Sequence, residues 1–548
     1  MTKTLRSEYL VLLFSILLVV GYNQSLWLGL LDTHSELSLH NILFLASCGF
    51  FLTALFNIIF SLLAVKNLLK PLLIFIVICS ALTSFFMDSY GVMIDASMLQ
   101  NVVETDSSEA FELFSFSFAL HVLIWGLLPA WVIYKIDIQY AAFFRQATIN
   151  VFSILMSILV IGLIAAFFYQ DYASTFRNHR EFRSLINPTN YIHAIDKTIR
   201  SQFKQSEIVI VPISKNASLG SIASSKKHRT ITIFVAGETA RAQEFHLNGY
   251  GRQTTPLLET HDDLINFKHV TSCGTATATS LPCMFSMFSR DNYDNEKGHG
   301  YEGMLDVIGA SGTDVLWRDN NSGCKGVCDR IQQENVAHLK LPELCNDKEC
   351  FDEVLLNNLE QIVSSSDHDL FIVLHQKGSH GPAYYERVPK AFQHFTPVCK
   401  TSELQNCTQQ EITNAYDNTI LYTDYVLDKV IGFLKAKSNS DKSNTAMIYV
   451  SDHGESLGEK NMYLHGAPYF MAPDEQTHVP MIMWLSDSFS SDYKIDQSCV
   501  AAKNGDAFSH DNLFHSVLGM LNILSPENYQ SELDIFDSCR SNINSNKA

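Results

Sequence analysis

The segment Asp452-His453-Gly454 follows a short apolar run, 445–450, whose β-branched and aromatic residues read as a buried strand. It places a carboxylate and an imidazole, two groups that are costly to bury, at the carboxyl end of a strand, where open α/β sheets put their chemistry. Adjacent Asp and His suit a divalent ion, most naturally zinc, which accepts carboxylate oxygen and imidazole nitrogen. Two further runs end alike: 230–236 in Gly237-Glu238-Thr239-Ala240-Arg241, and 370–374 in His375, with His380-Gly381-Pro382 five residues on. Glu238, the histidines and Asp452-His453 would then collect at one sheet edge and form a metal site. A nucleophile is expected beside it, and Ser272-Cys-Gly-Thr275-Ala-Thr277-Ala-Thr279-Ser280 offers small residues and hydroxyls ahead of a helical run. A hydroxyl at a helix start next to a dication has its ionised form favoured by both. Spacing alone leaves Thr275, Thr277 and Thr279 open.

The runs that must position these groups, 230–236, 314–317, 370–374, 445–450 and 479–484, alternate with longer helical stretches. That pattern predicts a largely parallel sheet with helices on both faces. A different composition precedes it. Five apolar stretches, 10–31, 42–65, 69–87, 118–134 and 151–169, are of about the length a helix needs to cross a bilayer core. Lys3, Arg6, Lys66, Lys70, Lys135 and Arg145 fall on one side of these spans. Asp32, Glu36, Asp88, Asp95, Glu104, Asp106, Glu109 and Glu112 fall on the other, in loops without Lys or Arg. The positive-inside rule puts the amino terminus in the cytoplasm and the large carboxyl-terminal part outside. The expected organisation is therefore a five-span all-α unit (1–170), a connector with a membrane-surface amphipathic helix across 177–204 and a linker at 214–227 (171–228 in all), and an α/β domain (229–548). The formal net charge of −18, with no basic block, argues against a nucleic-acid partner.

Ten of the twelve cysteines lie in the outer part, mostly in close pairs. Cys273 is near Cys283, Cys324 near Cys328, Cys345 near Cys350 and Cys399 near Cys407, while Cys499 and Cys539 are farther apart. In an oxidising compartment they read as disulfides rather than a zinc site, and proximity suggests this pairing. Cys48 and Cys79, within apolar spans, read as buried thiols.

Six segments together carry a family likeness: Gly237-Glu-Thr-Ala-Arg241, Ser272-Cys-Gly-Thr-Ala-Thr277, Trp317-Arg-Asp-Asn-Asn-Ser-Gly-Cys-Lys-Gly-Val-Cys328, His375-Gln-Lys-Gly-Ser-His-Gly-Pro-Ala-Tyr384, Ser451-Asp-His-Gly-Glu-Ser456 and Tyr463-Leu-His-Gly-Ala-Pro468. The chain resembles the bacterial phosphoethanolamine transferases, most of all those acting on lipid A, which include the mobile colistin-resistance enzymes. The resemblance spans essentially the whole chain. It implies a Gram-negative inner-membrane protein whose periplasmic domain has the alkaline-phosphatase and sulfatase fold, an α/β mixed sheet with helices on both faces. It also implies zinc held by Glu238, Thr277, Asp452 and His453, with Thr277 as nucleophile. Asn321, Ser322, Lys325, His380 and His465 would surround the phosphoethanolamine group, and the two histidines are the candidates for a second zinc.

The expected reaction moves phosphoethanolamine from phosphatidylethanolamine to a lipid A phosphate through a threonine-linked intermediate. Lys325 would meet phosphoryl charge, and His380 or His465 would act as general acid, because imidazole titrates near working pH. Asn101 and Glu104, in the acidic outer loop, are candidates to contact the donor lipid's ammonium. Added amines would lower envelope charge and weaken polymyxin binding. Transfer to a heptose or Kdo core sugar, phosphoglycerol transfer, and ester hydrolysis of the sulfatase type are the alternatives.

Overall fold

The computed structural model describes residues 4–36, 38–104, 107–205, 209–346, 348–525 and 527–540, with the backbone alone at 107–109, 180 and 201–205. Lys3 and Asp106 lie outside the described residues, as do the side chains of Glu109, Arg180 and Lys204. The chain divides into two compact units: Met1–Leu99 with Phe114–Thr198, and Gln100–Leu113 with Ile199–Ala548.

The first unit is helical. It comprises α1 (Ser7–Gly21), α2 (Gln24–Thr33), α3 (Leu39–Leu62) and α4 (Leu69–Tyr90). After α5 (Ala96–Glu104), which runs into the second unit, come α6 (Phe116–Lys135) and α7 (Phe143–Asn178). Among the described residues α3, α4, α6 and α7 are long and apolar enough to cross a membrane. The first expected span is instead a pair, α1 and α2, bent by 59°. At the bend Trp27 Nε1 donates to Val19 O (2.8 Å), a carbonyl the break leaves without its helical donor, and Asn23 Nδ2 donates to Leu18 O (2.9 Å) and Asn187 O (2.8 Å). Asn57 of α3 donates to Ser153 and Ser157 of α7 at 2.8 and 2.9 Å, a polar tie of the kind that joins helices in lipid.

Two expectations about the connector change. The amphipathic helix across 177–204 is interrupted: α7 runs on to Asn178, and a new helix starts at Thr189. Pro188, which lacks an amide hydrogen and disfavours helix at the preceding residue, marks where the new helix can start. The stretch 214–227 is no free linker. Ser218–Leu219 pairs with Ile523–Leu524, and Ile222 and Ala223 are buried in the core.

The second unit is built on an eight-stranded sheet: β1 (Thr230–Gly237), β2 (Leu264–Thr271), β3 (Asp314–Asp319), β4 (Gln332–Asn335), β5 (Leu370–His375), β6 (Asn444–Ser451), β7 (His478–Leu485) and β8 (Ala507–Ser509). The spatial order is β8-β2-β7-β6-β1-β5-β3-β4. All neighbours are parallel except β7, which is antiparallel to both β2 and β6, so the sheet is mixed. Every residue of β1, β5 and β6 is buried, as expected of strands covered on both faces. Successive residues then serve opposite cores: Phe234, Val373 and Ile448 pack on one face, Ile233, Val235, Ile372 and Met447 on the other. Helix α8 (Thr277–Met284) buries Leu281 and Met284 in the first core. Helix α9 (Gln409–Ser440) covers the second. It starts in a capping box in which Thr408 accepts from Glu411 N and Glu411 accepts from Thr408 N. Helix α10 (Asp511–Met520) returns to the first core with Phe514 and Val517.

The ten outer cysteines form the five expected disulfides. Cys273 is bonded to Cys283, Cys324 to Cys328, Cys345 to Cys350, Cys399 to Cys407, and Cys499 to Cys539. The bond between Cys345 and Cys350 closes a turn whose two ends also form an antiparallel bridge. The bond between Cys399 and Cys407 lies just ahead of the α9 capping box, and that between Cys499 and Cys539 ties the carboxyl-terminal segment back to the domain. Cys48 and Cys79 are free, Cys48 buried and Cys79 partly so.

Candidate active site

Register brings the chemistry together. Strand β1 lies between β6 and β5, with Gly237 paired to Ser451 and Ala236 to His375. The next residues, Glu238 and Asp452, therefore leave the sheet on neighbouring strands about 4.8 Å apart. Gly454 permits the tight exit after His453, because a Cβ there would sit 2.1 Å from Glu475 O. Thr239 takes a left-handed backbone (φ 58°), unusual for a β-branched residue, and its amide donates to Asp452 Oδ1 at 3.1 Å.

Thr277 is the first residue of α8, and its hydroxyl faces the carboxylate and imidazole cluster. Its Oγ1 lies 3.2 Å from each oxygen of Glu238 and 3.3 Å from His453 Nε2. Thr275 instead spends its hydroxyl on Ala467 O, at 2.6 Å. His453 Nε2 is 3.5 Å from Glu238 Oε1 and 3.4 Å from Asp452 Oδ2. A tetrahedral dication with bonds of about 2.0–2.1 Å needs donor atoms about 3.3–3.4 Å apart. The observed spacings of 3.2–3.5 Å match that polyhedron.

Two further observations favour a cation there. Asp452 Oδ2 is buried without a hydrogen-bond partner, a costly arrangement that an ion would relieve. His453 Nδ1 lies 2.9 Å from Gly454 O, which can only accept, so the proton sits on Nδ1 and Nε2 turns a lone pair inward. Burial, and next His465, push His453 down to about 4, keeping it neutral. Burial also raises Glu238, reinforced by Asp452, and lifts Asp452 to about 6, as expected of packed carboxylates lacking a counter-charge.

His465 and His380 flank this cluster. The His465 ring centroid is 4.5 Å from that of His453 and 5.4 Å from that of His380. Burial opposes a charge on His465, but Glu455, whose Oε2 accepts from Nδ1 at 2.8 Å, lifts it to about 9. Glu455 is itself fixed by the Tyr384 hydroxyl at 2.7 Å. His380 is pushed well down by burial and then by His465. The pair is thus one cationic and one neutral imidazole. His380 Nδ1 is buried without a partner, and His465 reaches Glu455 through its own Nδ1.

The other expected site residues are placed less directly. Asn321 donates to Glu238 Oε2 at 2.7 Å and to Gln376 O at 3.0 Å, so it braces a candidate ligand. Lys325, at φ 50°, donates to Ser322 O and Oγ (3.2 Å each) and to Glu104 O (3.1 Å). Glu104 thus meets Lys325 through its backbone, while its carboxylate accepts from Gln100 at 2.8 Å. Asn101 is half-buried on α5. His375 stands behind the cluster, with Nδ1 3.0 Å from Asp319 Oδ2 and Nε2 3.4 Å from Asn321 Nδ2.

Asp319 and Glu455, the carboxylates that hold His375 and His465, are the supporting residues that sequence reasoning missed. Asp319 ends a strand just as the ligands do, which was a usable signal; Glu455 showed none apart from its neighbours. Arg387 was missed too. It is buried, donates to His380 O at 2.8 Å, and pairs with Glu349 at 2.5 Å and Glu112 at 2.6 Å.

Comparison with known proteins agrees with this geometry. Residues 230–523 match the sulfatase family, and residues 52–203 match the family described as phosphoethanolamine transferase EptA/EptB. The chain is 41% identical to phosphoethanolamine transferase EptA of Salmonella typhimurium over 532 residues, 97% of this chain and 96% of the relative. It is 39% identical to phosphatidylethanolamine transferase Mcr-2 of Escherichia coli over 458 residues, 82% of this chain and 84% of the relative. The integral membrane lipooligosaccharide phosphoethanolamine transferase A of Neisseria meningitidis superposes with a TM-score of 0.94 at 38% identity, covering 98% of this chain and 99% of that one. A sulfatase-type domain joined to membrane-spanning helices is the class that fold and site define. Within that class, the chain belongs to the phosphoethanolamine transferase family.

Proposed function

We propose that this protein transfers phosphoethanolamine from phosphatidylethanolamine to a phosphate of lipid A, through a phosphoethanolamine ester on Thr277. The observation that carries the reading is the four-donor cluster of Glu238, Thr277, Asp452 and His453, with a hydroxyl as one of its corners. Zinc suits that oxygen and nitrogen set, and when bound it supplies positive charge that eases ionisation of the hydroxyl and offsets charge on the phosphoryl oxygens.

Thr277, at the start of α8, is held by Glu238 and His453 and, its hydroxyl proton released to solvent on ionisation, supplies the oxygen that attacks phosphorus. The Oγ–P bond forms as the bond from phosphorus to the glycerol oxygen breaks. His465, kept cationic by Glu455, gives the departing diacylglycerol its proton. Lys325 and Ser322 supply charge and hydrogen bonds to the phosphoryl group, and Asn321 keeps Glu238 in place. An acceptor phosphate oxygen then attacks the same phosphorus, its P–OH proton returning to His465, and the Oγ–P bond breaks to release Thr277 as the ionised hydroxyl. A second ion between His380 and His465 would compete with the protonated state that Glu455 maintains, so one ion is the simpler arrangement.

Both substrates are lipids, which accounts for the membrane unit. We read it as five spans, α1 and α2 together forming the first, in a Gram-negative inner membrane with the catalytic domain periplasmic. The product carries an added amine, so the outer envelope loses net negative charge and binds polymyxins less. The test is transfer from a labelled donor lipid with intact-mass detection of the enzyme adduct. Thr277→Ala should abolish both adduct and transfer; full transfer by that variant refutes the nucleophile.

A further inference from the structure

The membrane unit contains a cleft of about 450 Å³ that the catalytic chemistry does not use. Its walls are apolar: Leu30 of α2, Phe51 and Leu52 of α3, and Tyr172 and Phe176 of α7. Two guanidiniums, Arg177 and Arg183, line the same cleft. Arg177 sits at the end of α7, which the charge rule puts at the outer face. Phe51 and Leu52 lie 12 to 13 residues into α3, counting from Leu39, or roughly 18–20 Å along it. The cleft therefore runs from a cationic mouth at the interface to an aromatic and aliphatic wall at acyl-chain depth.

The charges at that mouth are unevenly committed. Asp171 pairs with His40 at 3.0 Å and Glu181 with His179 at 2.9 Å, so neither of these carboxylates is paired with the arginines. Arg177 and Arg183 are exposed and have no ion-pair partner among the described residues. Long cationic side chains beside an apolar cleft favour a lipid with phosphate at the head, and guanidinium matches phosphate geometry. The donor lipid fits less well, because phosphatidylethanolamine is net neutral whereas two guanidiniums at the mouth favour a net anion. A phosphate monoester on a multi-chain glycolipid fits well, offering net negative charge to the arginines and acyl chains to the cleft.

We propose that this cleft seats the acceptor glycolipid, with a phosphate held by Arg177 and Arg183 and an acyl chain against Phe51, Tyr172 and Phe176. The proposal rests on the reading of lipid A as acceptor and locates its recognition in the membrane unit. The test is native mass spectrometry of the full chain in detergent, with bisphosphorylated lipid A, its dephosphorylated form and phosphatidylethanolamine as probes. Wild-type protein should retain bisphosphorylated lipid A best. The double variant Arg177→Gln with Arg183→Gln should lose about tenfold or more in affinity, as expected for charge-assisted contacts. Arg177→Lys with Arg183→Lys, which keeps the charge, should recover most of it. Ala173→Trp, which fills the apolar wall and leaves both arginines, should weaken retention as well. Equal retention by the Gln double variant, equal binding of the dephosphorylated form, or preference for phosphatidylethanolamine each overturns the proposal. These readouts need no turnover, so the cleft can fail while transfer to lipid A stands. Retained lipid A with no transfer by wild-type enzyme would instead sink the functional reading and leave the cleft.

Discussion

Asp319→Asn is a stringent test of how the site is supported. Asp319 is buried, and all four of its close partners are donors. Oδ2 accepts from Trp317 Nε1 at 2.8 Å and His375 Nδ1 at 3.0 Å; Oδ1 accepts from the amides of Asn321 at 2.8 Å and Gly323 at 3.3 Å. An asparagine has the same shape, yet in either orientation its NH₂ must face donors, and His375 loses its counter-ion. Breaking one side of a buried pair costs about 3–5 kcal/mol. At about 2 °C per kcal/mol for a large domain, the apparent melting temperature should fall by roughly 6–10 °C. The loss should depend on pH with a definite sign. Burial opposes the charge on Asp319, but His375 holds it down at about 2, so its contribution is full above about pH 4 and fades in stronger acid. Burial likewise opposes the charge on His375, but Asp319 raises it, so that contribution is complete below about pH 6.5 and fades as pH climbs through the raised value. Differential scanning fluorimetry of the full chain in detergent, from about pH 4 to 9, should show the widest gap between wild type and variant near pH 5–6. A gap under about 1 °C, or one that widens steadily into alkali, refutes the paired-charge argument.

Three other outcomes follow from the same geometry. Asn321→Ala should weaken zinc binding by about 10–100-fold in a chelator competition, because Glu238 loses the group that orients it. Chelation should lower the melting temperature and stop transfer, and added zinc at about 100 times its dissociation constant should restore about 2.7 kcal/mol of stability; unchanged melting would argue against a loaded site. Arg387→Gln should cost about 3–5 kcal/mol and cut turnover, since Glu112 and Glu349 lose their shared cation and the His380 carbonyl its donor.

Glu238, Asp452 and His453 were legible as candidate ligands because each is a polar residue just past the end of an apolar strand, a juxtaposition with few structural causes. The mixed sheet, by contrast, was only partly visible. Strand β4, Gln332-Gln-Glu-Asn335, is polar and mostly exposed at the sheet edge, so no hydrophobic period marks it. Strand β7 reads like its parallel neighbours because it too is buried on both faces, and its reversed direction depends on pairing with β2, which sequence does not reveal. Thr277 could not be separated from Thr275 by spacing, since the difference lies in which backbone carbonyl or carboxylate each hydroxyl meets. Glu455 and Asp319 matter through the histidines they hold, and those partnerships exist only once distant strands are side by side. The bend between α1 and α2 escaped because hydropathy measures apolarity and not direction.

Four of the five sulfur bridges join cysteines only 4 to 10 positions apart, and such short rings restrain an unfolded chain less than long ones. Two of them bracket candidate site residues: Cys273–Cys283 encloses Thr277, and Cys324–Cys328 encloses Lys325. Their main effect is therefore on local shape rather than on whether the domain folds. A cell whose envelope oxidises thiols poorly would make this protein in near-normal amount, assembled but with a slack rim around the candidate site.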